Sequence, residues 1–234
     1  MYFKRMKNSI KATEMDINIA QNLEAIKTQL PEGVELVVIS KTRSHQEIMQ
    51  AYDSGHRVFG ENKVQELAPK WEALPKDIEW HMVGHLQRNK VKYMAEFVSL
   101  IHAVDSLRLL REINKQAKKH DRVINCLLQM KIAQEESKYG ITLDEIETIL
   151  KSEDYKQMKN VRVVGLMGMA TFTEDQEKIK AEFNSLHQAF NQLKQVHELR
   201  ILSMGMSGDY ELAIECGSNM VRIGSSIFGP REYQ

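Results

Sequence analysis

The chain has 234 residues, 42% hydrophobic and 27% charged, the proportions of an ordinary globular protein and a length that suits one large domain or two small ones. Thirty-two basic residues balance thirty-two acidic ones, so no broad field advertises nucleic acid or a membrane surface as a partner. Two cysteines, Cys126 and Cys216, read as buried thiols rather than a disulfide framework, and Lys4, Arg5 and Lys7 precede no apolar stretch of signal-peptide or membrane-spanning length, so the expected location is the cytoplasm.

Apolar residues Ala12, Met15, Ile19, Leu23, Ile26 and Leu30 recur at spacings of three and four, which predicts an amphipathic helix ended by Pro31 and Gly33. Strand-like and helix-like stretches then alternate. The strand candidates are Glu35–Ser40, Arg57–Gly60, Trp80–Gly84, Val98–Val104, Val123–Met130, Val161–Met167, Arg200–Met204 and Met220–Gly224. Helical patterns lie at Gln46–Ser54, Val64–Leu74, Arg88–Ala95, Ser106–Lys119, Leu143–Lys151, Asp175–Val196 and Asp209–Cys216. Repeated strand–helix units with short links argue for a parallel sheet. Eight of them in a chain of this length argue for a closed (β/α)8 barrel, an α/β fold, more than for a doubly wound sheet. After the last strand only Ser225–Gln234 remains, so the amino-terminal helix is expected to complete the outer ring. No Pro/Gly/Ser-rich linker divides the chain, which is read as one domain spanning residues 1–234.

Active sites of such barrels lie at the carboxyl ends of the strands. The first of these ends carries Lys41, on the same strand face as Val37 and Ile39. A lysine held against apolar walls loses hydration, and its amine becomes available as a nucleophile toward a carbonyl carbon. At the seventh and eighth ends, Ser203, Gly205, Ser207 and Gly208 are followed by Gly224, Ser225 and Ser226, small residues whose N–H groups and hydroxyls suit an anion. Neither cluster is a Walker A loop or a G-x-G-x-x-G fingerprint, so no nucleoside triphosphate or dinucleotide is indicated. Arg222 lies between Val221 and Ile223; if those two face the helices, Arg222 points into the barrel, where a buried guanidinium requires a structural carboxylate or a bound ligand. An amine nucleophile, an anion cradle and an inward arginine together describe a pocket for an aldehyde carrying a phosphate, a description that pyridoxal 5'-phosphate (PLP) fits. His81, His85 and His102 lack a metal-binding spacing and are expected to be satisfied by backbone groups. Met167, Met169, Met204 and Met206 read as adaptable packing around a planar ring.

The segments Ser40-Lys41-Thr42, Gly60-Glu61-Asn62 with Val64-Gln65-Glu66, Trp80-His81, Gly84-His85-Leu86-Gln87 with Asn89-Lys90, Glu136-Ser137-Lys138 with Gly140, Gly165-Leu166-Met167, and Leu202 to Ser207 through Arg222-Ile223-Gly224 closely resemble the YggS/PROSC family of pyridoxal-phosphate homeostasis proteins. The resemblance runs from about Val34 to Gly229 in unbroken order. It implies a barrel like the amino-terminal domain of alanine racemase, a Schiff base on Lys41, and a phosphate held by the Ser203–Ser207 and Gly224–Ser225 region. It also implies that Arg222 lies near the pyridine nitrogen, and that Asn62 and the ends of strands three and six, which carry His85 and Met167, line the cofactor. Lys63, Gly168 and Lys131 stand where the family usually has tyrosine, threonine and asparagine, all at the cofactor's rim.

Two functions remain open on the sequence. One is a cofactor carrier that supplies or buffers PLP, with PLP-dependent apoenzymes as partners and a monomeric state expected. The other is a lysine-dependent enzyme, an amino-acid racemase of low activity or a Schiff-base aldolase. A permanent cation at Arg222 disfavours protonation of the pyridine nitrogen and weakens the cofactor as an electron sink. A racemase also needs a second acid/base on the opposite ring face, which alanine racemase draws from a further domain and a dimer partner, and the chain is expected to end after its barrel. The carrier is favoured, without catalytic residues and without a metal.

Overall fold

The computed structural model describes residues 18–133 and 139–230. Ala12 and Met15 of the expected first helix, and the Glu136-Ser137-Lys138 segment, lie outside the described residues. Eight parallel strands form a closed barrel in chain order: β1 (Glu35–Ile39), β2 (Val58–Glu61), β3 (Glu79–Met82), β4 (Leu100–Val104), β5 (Ile124–Gln129), β6 (Val161–Met167), β7 (Ile201–Met206) and β8 (Met220–Ile223). The ring is sealed by β1 on β8, where Leu36 pairs with Val221 and Val37 with Arg222. Around it run α1 (Ile19–Gln29), α2 (His45–Asp53), α3 (Val64–Ala73), α4 (Leu107–Lys119), α5 (Leu143–Lys151), α6 (Glu153–Lys156), α7 (Gln176–Lys194), α8 (Tyr210–Glu215) and α9 (Ser225–Phe228). The expected (β/α)8 fold is therefore present.

Strand alternation sorts the side chains into two cores. Leu36, Val38, Phe59, Trp80, Met82, Leu202, Met204, Val221 and Ile223 face outward and pack with the helices. Val37, Val83, Leu100, Leu127, Val164, Met167 and Met220 fill the barrel interior, with Ile39 packed against them. Helix starts are written locally. Ser44 and Thr142 each close a capping box, with Glu47 and Glu145 respectively, and Ser106 caps α4. On the outside of the ring, α1 meets both α2 and α9; Asn22 donates to the Ile227 carbonyl at 3.0 Å, and Tyr210 Oη donates to Gln29 at 2.9 Å. The amino-terminal helix thus takes the place expected of it in the outer ring, between α2 and the four-residue α9.

Besides α9, which the pattern did not include, two elements differ from the sequence pattern. The stretch expected as a helix over Arg88–Ala95 is instead a 3-10 turn at Arg88–Tyr93, anchored by the buried Val91 within it and by Met94 and Ala95 just beyond it. The short α6 was absent from the pattern, because one residue does two jobs: Ser152 ends α5 and its hydroxyl caps Tyr155 N–H to begin α6. Cys126 and Cys216 are both buried free thiols, and burial pushes each thiol pKa upward. Among the described residues, no helix is long and apolar enough to cross a membrane.

Candidate functional site

At the carboxyl ends of β1, β6, β7 and β8 the barrel opens into a cavity of about 370 Å3. Lys41, half-buried and two residues beyond β1, lines it with Ile39. The period that puts Val37 and Ile39 inside the barrel carries Lys41 to the same side, against an apolar wall. From β7 and β8 come Ser207, Gly208, Asp209, Arg222, Gly224 and Ser225. The Ser207 hydroxyl accepts the Gly224 N–H at 3.2 Å, which joins the two strand ends and leaves the Ser207 proton to donate elsewhere. Gly205 has φ +95°, and a Cβ there would lie 2.7 Å from the Ala213 Cβ and 2.9 Å from the Tyr210 Cα. Only glycine lets β7 turn this closely over α8.

Arg222 is 5% exposed. Its Nη1 donates to Ser203 Oγ at 2.6 Å and its Nη2 to the Gly168 carbonyl at 3.1 Å. Both acceptors are neutral. Burial pulls the guanidinium pKa down to about 10, partly offset by the Asp209 carboxylate, so the group stays charged at neutral pH. Below Ser203 a polar chain continues into the barrel. Ser203 Oγ is 3.1 Å from His102 Nδ1, and His102 Nε2 is 3.1 Å from His81 Nδ1. Burial drives His81 down to about 3 and His102 in the same direction, so both imidazoles are neutral. Side chains, not backbone groups, therefore satisfy this pair, a correction to the sequence expectation. The reason lies in alternation: His81 and His102 both point inward, from adjacent strands.

The expected site residues separate into three groups. Lys41, Ser207, Arg222, Gly224 and Ser225 converge on the cavity. Met167, Ser203 and Gly205 are buried beneath or behind it, Met167 in the interior core and Ser203 as the partner of Arg222. Asn62 and His85 stand apart at the ends of β2 and β3. His85 lines a separate polar depression, 3.4 Å from Asp105 and stacked on Tyr139 with ring centroids 4.1 Å apart. Of the four methionines expected around a planar ring, only Met206 lines the cavity; Met167 and Met204 are wholly buried. The rim positions Lys63 and Lys131 are exposed, and Gly168 packs against Leu186 and Ile132, whose side chains occupy the space a Cβ would need.

One wall escaped the sequence reading. Ala170, Thr171, Phe172 and Thr173, beyond β6, close the cavity with Ile179 of α7. Glu182 of α7 pins this loop by accepting Thr171 N–H at 2.6 Å and Thr171 Oγ1 at 2.7 Å, while Phe172 stands 97% exposed at the rim. The residue types alone carry little signal, since a buried glutamate on a helix declares itself only through its partner.

Residues 17–232 match the family model described as the alanine racemase N-terminal domain. The pyridoxal phosphate homeostasis protein of Aquifex aeolicus is 39% identical over 85% of this chain and 88% of its own length. That of Helicobacter pylori is 36% identical over 91% of this chain and 99% of its own length. Among solved structures, PipY of Synechococcus elongatus with PLP bound superposes with a TM-score of 0.82 at 33% identity, covering 90% of this chain and all of that one.

Proposed function

We infer the function from one premise: this chain belongs to the pyridoxal phosphate homeostasis proteins, the YggS/PROSC family, built on the alanine racemase N-terminal barrel. The protein binds PLP and takes part in intracellular PLP homeostasis. The observation that carries this is the convergence of Lys41, Arg222, Ser207, Gly224 and Ser225 on one cavity of about 370 Å3.

The donor set fits the cofactor. When bound, PLP brings an aldehyde carbon that condenses with a primary amine, a phosphate dianion and a weakly basic ring nitrogen. Lys41 offers the amine on the cavity wall beside Ile39. Ser207, with its acceptor role taken by the Gly224 N–H, has a proton to donate to a phosphate oxygen, and Ser225 adds a hydroxyl next to it. Among the described residues, the titratable groups of the wall are Lys41, Arg222 and Asp209, two cations against one carboxylate. Arg222, gripped from below by Ser203 and Gly168, would face the ring nitrogen, where a fixed cation would disfavour its protonation.

This favours a carrier over a catalyst. Racemisation needs an acid/base on each face of the ring. Arg222 stays protonated at neutral pH, and the Asp209 carboxylate is engaged by Met206 N–H at 2.6 Å. The protein holds PLP on Lys41 and supplies or buffers it for PLP-dependent apoenzymes in the cytoplasm. Purified protein incubated with PLP, reduced with borohydride and digested should carry the label on Lys41, and Lys41→Ala should carry none. Label elsewhere, or no uptake, defeats the assignment. Chiral analysis after incubation with L-amino acids addresses the second half, since rapid racemisation would make the protein an enzyme.

A further inference from the structure

We propose that Glu61, Glu66 and Lys70 form a positioning clamp that fixes Lys41 from behind, acting through the two residues that flank it. The inference rests on Lys41 as the attachment point. Alternation makes it geometrically natural: Lys41 faces the cavity, so Ser40 faces the opposite way, toward α3. Ser40 is fully buried and held by both its polar groups. Its hydroxyl donates to Glu61 Oε1 at 2.6 Å, and its carbonyl accepts from Lys70 Nζ at 2.8 Å. Lys70 Nζ also donates to Glu61 Oε1 at 2.7 Å. On the other flank, Thr42 N–H donates to Glu66 Oε2 at 2.7 Å, and that oxygen lies 3.6 Å from Lys70 Nζ. One ammonium on α3 thus ties both sides of Lys41 together.

Two features show that this arrangement is maintained at a cost. Thr42 has φ +64°, a left-handed conformation that a β-branched residue adopts only where its surroundings impose it. Glu61 Oε2 is buried without a hydrogen-bond partner among the described residues, although a β2–α3 ion pair serving stability alone would gain from a second donor. The cluster is aimed at Ser40 and Thr42 instead. Removing the left-handed turn would swing the Lys41 side chain off the line set by Val37 and Ile39.

The test uses cofactor-free protein and acetic anhydride as the probe, with the acetylation of Lys41 read by peptide mass spectrometry across a pH series and exposed Lys156 as internal reference. In the parent chain the Lys41 profile should differ from that of Lys156. Glu66→Ala should move it about tenfold toward the Lys156 profile, the scale of one lost charge-assisted hydrogen bond. Glu66→Gln, which keeps an acceptor oxygen for Thr42 N–H, should restore it to within about twofold. The double variant Glu61→Gln with Lys70→Met leaves no unpaired buried charge and should also move it; if it fails to fold, Glu66→Ala decides alone, because that side chain is 27% exposed. A Lys41 profile already equal to that of Lys156, or unchanged in Glu66→Ala with a native circular dichroism spectrum, overturns the clamp. A purely structural ion pair would change the melting temperature and leave the profile in place. Because no PLP is present, failure here leaves the cofactor assignment standing, and failure of PLP to attach to a Lys41 that passes this test sinks that assignment instead.

Discussion

Lowering the pH from 7 to 4.5 should remove about 5 kcal/mol of stability through two imidazoles alone. His81 lies in the barrel interior and His56 packs edge-on against Phe59, with its Nε2 2.8 Å from the Val58 carbonyl. Burial pulls His81 down to about 3 and His56 down to about 4. In the unfolded chain both titrate near 6.5. As the pH falls through that value the unfolded state takes up protons that the folded state refuses, so stability declines. The decline continues until the folded groups titrate, near 4 for His56 and near 3 for His81. Each pH unit costs about 1.4 kcal/mol per group, hence about 2–3 kcal/mol from each at pH 4.5. His102 adds in the same direction. Against a total of about 5–15 kcal/mol for a typical domain, the loss is large. Urea unfolding followed by circular dichroism at pH 7, 6, 5 and 4.5 measures it, and His56→Gln should recover about 2–3 kcal/mol of the difference. Glu61, whose carboxyl is pushed up by burial, opposes the trend in parent and variant alike and cancels from the comparison. Identical pH slopes in parent and His56→Gln would refute the reasoning.

Three further outcomes follow from the site. Arg222→Gln removes a burial penalty of about 3 kcal/mol, the fall from 12.5 to about 10, together with two hydrogen bonds of similar total worth. The cofactor-free variant should therefore melt within a few degrees of the parent, while the absorbance of its PLP complex becomes pH-dependent where the parent's is flat. Gly205→Ala forces a Cβ to 2.7 Å from Ala213 at φ +95° and should cost about 2–3 kcal/mol in thermal unfolding. Glu182→Ala strands the Thr171 N–H and hydroxyl and should weaken PLP binding about tenfold by equilibrium dialysis; unchanged affinity would show that the pinned loop does not shape the cavity.

The barrel was legible because its strands are short apolar runs set between helical periods, and eight of them in order leave one closed parallel solution. Lys41 and Arg222 were legible because each sits among aliphatics of fixed parity. The polar partners were not. Nothing in the spacing of His81, His102 and Ser203 announces a chain of hydrogen bonds, since they meet only when three strands wrap around one axis. Lys70 looked like any helical cation and Glu61 like any strand-end carboxylate, and their pairing needs the register of β2 against α3. Loop residues 170–173 gave no periodic signal at all, and their place in the wall comes from Glu182 eleven residues beyond Thr171.

Phe172, almost fully exposed above an anchored Thr171, also offers an optical vantage point. The native indoles, Trp80 wholly buried on β3 and Trp71 stacked on Phe97, are absent from the cavity wall. An indole introduced at residue 172 would report from the rim itself, so that filling and emptying of the barrel mouth could be followed in real time by emission, without labelling any residue that binds.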